Sequence, residues 1–161
     1  MKNLLVILAL AVSQFAAATS IRDVRLHYRS EPYGPFAHSN KTKISLVVYV
    51  TGEVVKFTCP TGTRFNKCES KKVTQLSTYK MDKIERDIQL AADGEIRYPQ
   101  PGDITCKAIP HSMVQMTADN EKVFLRSGAS PCGRVTRNTS PAAERLVEEL
   151  RKLVIKGSTQ E

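Results

Sequence analysis

The stretch Ile44-Ser-Leu-Val-Val-Tyr-Val50, Thr51-Gly52, Glu53-Val-Val-Lys-Phe-Thr-Cys59 decides the class of fold. Both outer segments are rich in β-branched and aromatic residues, which favour strands, and Thr51-Gly52 between them is typical of a tight turn. The pattern predicts a β-hairpin with a two-residue connection, and it leaves the register of the two strands open. We therefore expect an antiparallel sheet.

A long amphipathic helix is predicted after this hairpin and a loop at residues 60–72. Ser77 is a suitable N-cap for the helix, and Gly94 is a suitable residue to end it. Apolar residues at intervals of three and four lie on one face of a helix, with charged residues on the other. The apolar positions are Met81, Ile84, Ile88 and Ala91.

Short strand candidates follow the helix, separated by turns rich in Pro, Gly, Asp and Ser. They are Glu95 to Tyr98, Thr105 to Ala108, Met113 to Met116, Lys122 to Leu125 and Gly133 to Arg137. Ser140 and Pro141 then mark the start of a second helix, whose apolar face extends through about Ile155. The predicted class is α+β: an antiparallel β-sheet packed against one main helix, with an N-terminal hairpin or arm and an extra C-terminal helix.

The beginning of the chain is typical of a secretory signal peptide at residues 1–18. Lys2 supplies a positive charge, Leu4 to Val12 is an apolar run, and Ala16 to Ala18 is a small-residue cleavage site. The run is too short to span a bilayer, and no later segment is long and apolar enough to do so. The product is expected to be secreted and to have no membrane anchor.

The rest of the chain is divided into three parts. Residues 19–43, with their Pro and Gly, are interpreted as an N-terminal arm. The residues of the arm that alternate as a short strand would are Val24, Leu26 and Tyr28. Residues 44–138 form the predicted α+β domain, and residues 139–161 form the C-terminal helix and tail.

Four cysteines are expected to form two disulfides in an oxidising compartment, and three pairings remain open. They are Cys59, Cys68, Cys106 and Cys132. Their spacing lacks the short Cys-x-x-Cys interval of structural zinc sites, so no metal site is predicted. Glycosylation sequons begin at Asn40 and Asn138, which is consistent with the secretory route.

The chain is basic, with 24 Lys and Arg against 16 Asp and Glu and a formal net charge of +8. Such a surface can bind polyanions through phosphate contacts, and it is also typical of an ordinary soluble charged surface. The sequence has no glycine-rich phosphate loop, and no cofactor is predicted.

The order of motifs from Phe57 onward resembles the fungal guanyl-specific ribonucleases and, more closely, the ribonuclease-like secreted effectors of powdery mildew fungi. Phe57-Thr58-Cys59 matches the aromatic-x-Cys signature of those effectors, and Tyr98-Pro99 is similar to the Tyr-Pro that opens the ribonuclease sheet. Lys122 to Phe124 and Gly133 to Thr136 resemble the paired strands that end it. Residues 19–56 and the C-terminal helix have no counterpart in the pattern.

The resemblance implies a fold without its catalytic groups. In the ribonucleases a histidine follows Tyr-Pro, a glutamate and an arginine lie on later strands, and a second histidine lies near the end. Here Gln100 takes the first position and cannot act as a base, while Lys122 is nearest the arginine position. Arg137 is nearest the final histidine and stays protonated. No enzyme activity is therefore predicted.

The expected function is that of a secreted, non-catalytic effector that suppresses plant defence by binding a host protein or RNA. The resemblance implies delivery to host tissue, with the host cell as a further location, and leaves the oligomeric state open. Residues predicted to bind RNA or a partner are Tyr98, Gln100, Lys122, Arg134 and Arg137.

Two other functions remain as alternatives. The first is an active secreted ribonuclease, in which Glu95 and Arg97 share one face of a strand and His111 lies on a nearby loop. His27 and His38, in the arm, are given no role. The second is a small basic secreted toxin or surface-binding protein of unrelated fold.

Overall fold

The computed structural model describes residues 23–32, 42–61, 68–100, 112–130 and 135–159. Numbered in chain order, the elements are β1 (Val24–Pro32), β2 (Thr42–Tyr49), β3 (Glu53–Pro60), β4 (Glu69–Gln75), α1 (Thr78–Ala92), β5 (Ile96–Arg97), β6 (Ser112–Ala118), β7 (Val123–Ser130), β8 (Val135–Asn138) and α2 (Pro141–Ser158). The strands form one sheet in the order β4-β3-β2-β1-β6-β7-β8-β5, and every neighbouring pair is antiparallel. The α+β class, one antiparallel sheet packed against helices, is confirmed.

The predicted hairpin is present as β2 and β3, but its connection has three residues, Val50 to Gly52. Gly52 N donates to Tyr49 O at 2.9 Å, and Gly52 has a φ of +80°. A turn that ends in a left-handed residue matches the twist of the flanking strands, and glycine adopts that conformation without steric cost. Gly52 is also confined, because an added Cβ would lie 2.8 Å from Leu76 O.

The N-terminal arm is where the prediction is wrong. β1 pairs with β2 on one side and with β6 on the other, so it is an interior strand of the sheet. Leu26 lies opposite Val48 and Ala118 and is fully buried. The alternating residues do form a strand, but its second partner is about 90 residues away in sequence, and nothing local identifies such a partner.

The predicted loop at residues 60–72 contains the start of another strand, β4. β4 lies at one edge of the sheet, and Val73 is its only buried residue. Its charged sequence is typical of an edge strand, since charges there discourage pairing with other chains. Because of these charges, the segment lacks the alternation of apolar residues from which a strand is predicted.

The strand candidates after α1 correspond to β5, β6, β7 and β8 with shifted ends. The structure shortens the first to Ile96–Arg97 and extends the fourth, Lys122 to Leu125, to Ser130. Thr105 to Ala108 lies outside the described residues.

Both predicted helices are confirmed, together with their N-caps. Ser77 Oγ accepts from Lys80 N at 3.4 Å, and Ser140 Oγ accepts from Ala142 N at 3.2 Å. Gly94 N donates to Ala91 O just beyond the end of α1.

The C-terminal helix is not the addition that the sequence indicated, because it supplies much of the core. α2 packs against α1, β1, β4 and β7. Its 18 residues span about 27 Å at 1.5 Å per residue, enough to cross the sheet from β8 to the end where Gly157 O accepts from Lys56 Nζ of β3. Its buried side is formed by Ala142, Ala143, Leu146, Val147, Leu150, Leu153 and Gly157.

A disulfide joins Cys59, at the end of β3, to Cys68, just before β4. This confirms one of the two expected disulfides. Cys106 and Cys132 lie outside the described residues. Neither of the two helices is long and apolar enough to cross a membrane.

Candidate functional site

Three arginines lie side by side on adjacent strands at one end of the sheet. The registers place Arg97 of β5 opposite Arg137 of β8, and Arg137 opposite Arg126 of β7. Neighbouring strands are about 4.8 Å apart, so the Cα atoms of Arg97 and Arg126 are separated by roughly 10 Å. We call Arg97, Arg137 and Arg126 the arginine row.

The arginine row has no acidic partner among the residues that the structure describes. Like charges directly opposite on antiparallel strands repel each other and destabilise the pairing. Several other arginines of the same chain, in contrast, are neutralised by carboxylates. The neutralised pairs are Arg25 with Glu85 and Asp119, Arg29 with Glu31, and Arg145 with Asp87.

A cavity of about 160 Å³ lies between the arginine row and the first turns of α2. Burial, followed by the positive charges of Arg151 and Arg137, lowers the pKa of Arg126, while Glu144 acts in the opposite direction. The field inside the cavity is therefore dominated by cations. Its lining consists of Leu125, Arg126, Arg137, Asn138, Thr139, Ser140, Ala143, Glu144 and Val147.

Asn138 fixes the geometry of this site. Its side chain is buried, and Nδ2 donates to Ala91 O at 2.8 Å and to Phe124 O at 3.1 Å. Oδ1 accepts from Ser140 N at 2.9 Å. One side chain thus joins the ends of α1 and β8 and the start of α2. Gly94 leaves room for it, since a Cβ there would lie 2.0 Å from Asn138 Oδ1.

The same hydrogen bonds occupy Nδ2 of Asn138, the atom that would carry the glycan at the expected glycosylation site. A glycan on Nδ2 would require the side chain to leave its buried position and break both donated bonds. Asn40, the other expected acceptor, lies outside the described residues.

The structure brings together some of the predicted binding residues and separates others. Tyr98 directly follows Arg97 and is 65% exposed, and Gln100 is exposed two residues later. Lys122 lies in the turn before β7, four residues from Arg126, with Nζ 3.7 Å from Asp119 Oδ2. Four residues of strand correspond to about 13 Å, so Lys122 belongs to another part of the surface. Arg134 lies outside the described residues.

The alternative catalytic set is only partly placed. Glu95 and Arg97 are both exposed, and the backbone oxygen of Glu95 accepts from Thr139 N at 2.9 Å. His111 lies outside the described residues. Within the described ranges, no cluster of His, Cys, Asp and Glu is arranged to hold a metal ion.

Arg126 and Arg151 are the site residues that sequence reasoning missed. The strand predicted there ended at Leu125, one residue too early to include Arg126. Arg151 lies on α2, on which no binding residue was predicted. The register of β7 on β8 places Arg126 opposite Arg137, and the packing of α2 brings the charge of Arg151 near Arg126.

His27, for which no role was predicted, forms a second polar cluster. Nε2 lies 2.6 Å from Ser45 Oγ, and Nδ1 lies 3.1 Å from Glu121 Oε1. A serine, a histidine and a carboxylate in this order resemble a hydrolase triad. However, Ser45 is 0% exposed, so its hydroxyl is out of reach of a substrate in this fold. The cluster instead links β1, β2 and the turn after β6.

Comparison with protein-family models finds no model that matches the chain, and comparison with curated proteins finds no match either.

Proposed function

We propose that the protein is a secreted, ribonuclease-like effector that binds host RNA without cleaving it and thereby suppresses plant defence. The observation that carries the proposal is the arginine row with exposed Tyr98 beside it. A guanidinium group can donate two parallel hydrogen bonds to a phosphate, and an exposed aromatic ring can stack on an unpaired base. The net charge of +8 favours the same polyanion at longer range.

The non-catalytic part of the proposal is supported by the chemistry of Gln100, Arg137 and Arg126. Cleavage through the ribose 2′-hydroxyl needs a base and an acid that exchange protons near neutral pH. An amide cannot serve as a base, and guanidinium groups stay protonated, so these side chains can hold a phosphate without activating the hydroxyl. In the described part of the chain, Glu144 is the carboxylate that lines the cavity.

The proposal predicts that loss of one arginine of the row lowers the affinity for RNA and makes that affinity less dependent on salt concentration. Arg137→Gln is the preferred change, because Arg137 is central in the row and exposed. The slope of log affinity against log salt should fall in magnitude by about 0.7, the value for one phosphate contact to a single strand. Fluorescence anisotropy of a labelled oligonucleotide at several salt concentrations measures both quantities.

Arg86→Gln is the matched control, since it removes the same charge from an exposed position of α1 outside the cavity lining. An unchanged affinity for Arg137→Gln, or an equal loss in both variants, would contradict an RNA site at the row. If a host protein binds the arginine row and RNA does not, the partner is that host protein and the RNA proposal is wrong.

The active-ribonuclease alternative makes the opposite prediction for the same samples. RNA incubated with the wild-type protein would give cyclic-phosphate products, and Glu95→Gln would abolish them. Intact RNA after incubation with wild-type protein supports the binding proposal.

A further inference from the structure

We infer that the cavity between β7, β8 and α2 is a pocket for a phosphomonoester dianion, supplied as the terminal phosphate of an RNA or as a free phosphate compound. The inference deepens the proposed function where RNA is the source. It concerns the half-open cavity lined by Arg126 and Arg137, and not the surface at Arg97 and Tyr98.

The size of the cavity restricts its occupant. A cavity of about 160 Å³ has room for a small polar group of a few heavy atoms. A phosphate group has five heavy atoms and fits this space. Pockets that enclose a whole drug-sized ligand are larger, about 300 Å³ or more, so the remainder of a nucleotide would have to lie outside.

The charges of the cavity select an anion. Arg126 and Arg137 are cross-strand neighbours without a salt-bridge partner among the described residues, and Arg151 adds a third positive charge from α2. A dianion between two guanidinium groups would replace their repulsion with paired, charge-assisted hydrogen bonds. Arg151 does not line the cavity and acts there through its charge on Arg126, while its contact with Glu148 is long, at 3.9 Å, and exposed.

Substitution of Glu144 should change the affinity for phosphate in the opposite direction from substitution of the arginines. Glu144 is the carboxylate in the lining and would repel an anion in the cavity. Removing its charge should strengthen phosphate binding, whereas removing Arg126 or Arg137 should weaken it. A change that only damaged the fold would weaken binding in every case. Since Glu144 and Arg137 are both exposed, their substitution does not open the core.

The experiment compares RNA oligonucleotides of one sequence that end in a 5′-phosphate, a 3′-phosphate or hydroxyl groups only. A hydroxyl-ended oligonucleotide two nucleotides longer controls for the additional charge, since a terminal phosphate dianion adds about two negative charges and each internal phosphodiester adds one. We expect a phosphorylated end to raise the affinity about tenfold over both hydroxyl-ended controls. Arg137→Gln and Arg126→Gln should remove the preference for the phosphorylated end. Glu144→Gln should increase that preference, and Arg86→Gln should leave it unchanged.

Titration of the full chain with inorganic phosphate, followed by amide NMR, separates the two sources. Shifts confined to the lining residues, 125–126 and 137–147, support the pocket. If phosphate binds there and no oligonucleotide binds, the pocket stands for a small phosphate compound and the RNA proposal fails. If all oligonucleotides bind equally and phosphate shifts none of these lining residues, the pocket is overturned and the RNA proposal stands.

Discussion

His27 shows how one side chain can make the stability of the fold depend on pH. Burial is the largest influence on its pKa and lowers it, while the hydrogen bond and the charge of Glu121 act in the opposite direction. The charges of Arg29 and Lys43 lower it further. The fold therefore favours the neutral ring, held between Ser45 and Glu121.

We expect the free energy of unfolding to decrease as the pH falls below 6.5, the ordinary pKa of histidine. The unfolded chain takes up a proton there that the folded protein resists, so the stabilisation is complete above pH 6.5 and is lost below it. His27→Gln removes this proton linkage. Urea denaturation at pH 7.5 and 5.5 should show a smaller decrease for the variant than for the wild-type protein.

Glu31 does not contribute to the change in stability between pH 7.5 and 5.5. Burial raises its pKa, but hydrogen bonds from Lys43 and Arg29 outweigh burial and lower it overall. Its contribution to stability is therefore present above pH 4.5 and is lost only in more acidic solution. Equal decreases in wild-type and His27→Gln between pH 7.5 and 5.5 would refute the assignment.

At the scale of elements, α2 is expected to be necessary for the fold. Leu150→Ala removes a side chain that is 0% exposed and leaves a cavity in the core. The expected loss is about 2–5 kcal/mol in the free energy of unfolding. Ile155→Ala is the matched control on the same helix, since Ile155 is 64% exposed, and should change stability by less than about 1 kcal/mol. Chemical denaturation measures both, and similar losses would mean that α2 does not pack as described.

Elements whose signals are local could be predicted from the sequence, and those that depend on distant partners could not. The β2–β3 hairpin is marked by its turn, and both helices are marked by their caps and apolar spacing. β4 was missed because its one buried residue, Val73, gives no alternation. The interior position of β1 was missed because β6, which completes its pairing, follows only after residue 111.

The same distinction applies to the candidate site. Arg137 and Tyr98 were named from a resemblance, because each lies beside a motif. Arg126 becomes a member only when β7 pairs with β8, and Arg151 comes near Arg126 only when α2 packs on the sheet. The site depends on which residues of β7 and β8 lie opposite each other, and residue spacing in the sequence does not determine that register. A shift of one residue would move Arg126 to the other face of the sheet.

At the scale of the whole molecule, the Cys59–Cys68 disulfide is expected to stabilise the fold mainly through the unfolded chain. The two cysteines are nine residues apart, and closing a loop of that size corresponds to about 3 kcal/mol in the chain-entropy model. A Cys59→Ala and Cys68→Ala double variant should lose an amount of this order in urea denaturation. Unchanged stability would mean that the link constrains neither state.

The place of β1 has a consequence for how the protein is made. β1 emerges early during synthesis, but its partner β6 begins only at Ser112. Until then the growing sheet of β1 to β4 has an open edge that another polypeptide could occupy. Sheets that depend on such distant pairing also fold slowly. We therefore expect newly made chains to be most prone to aggregation before β6 has been synthesised.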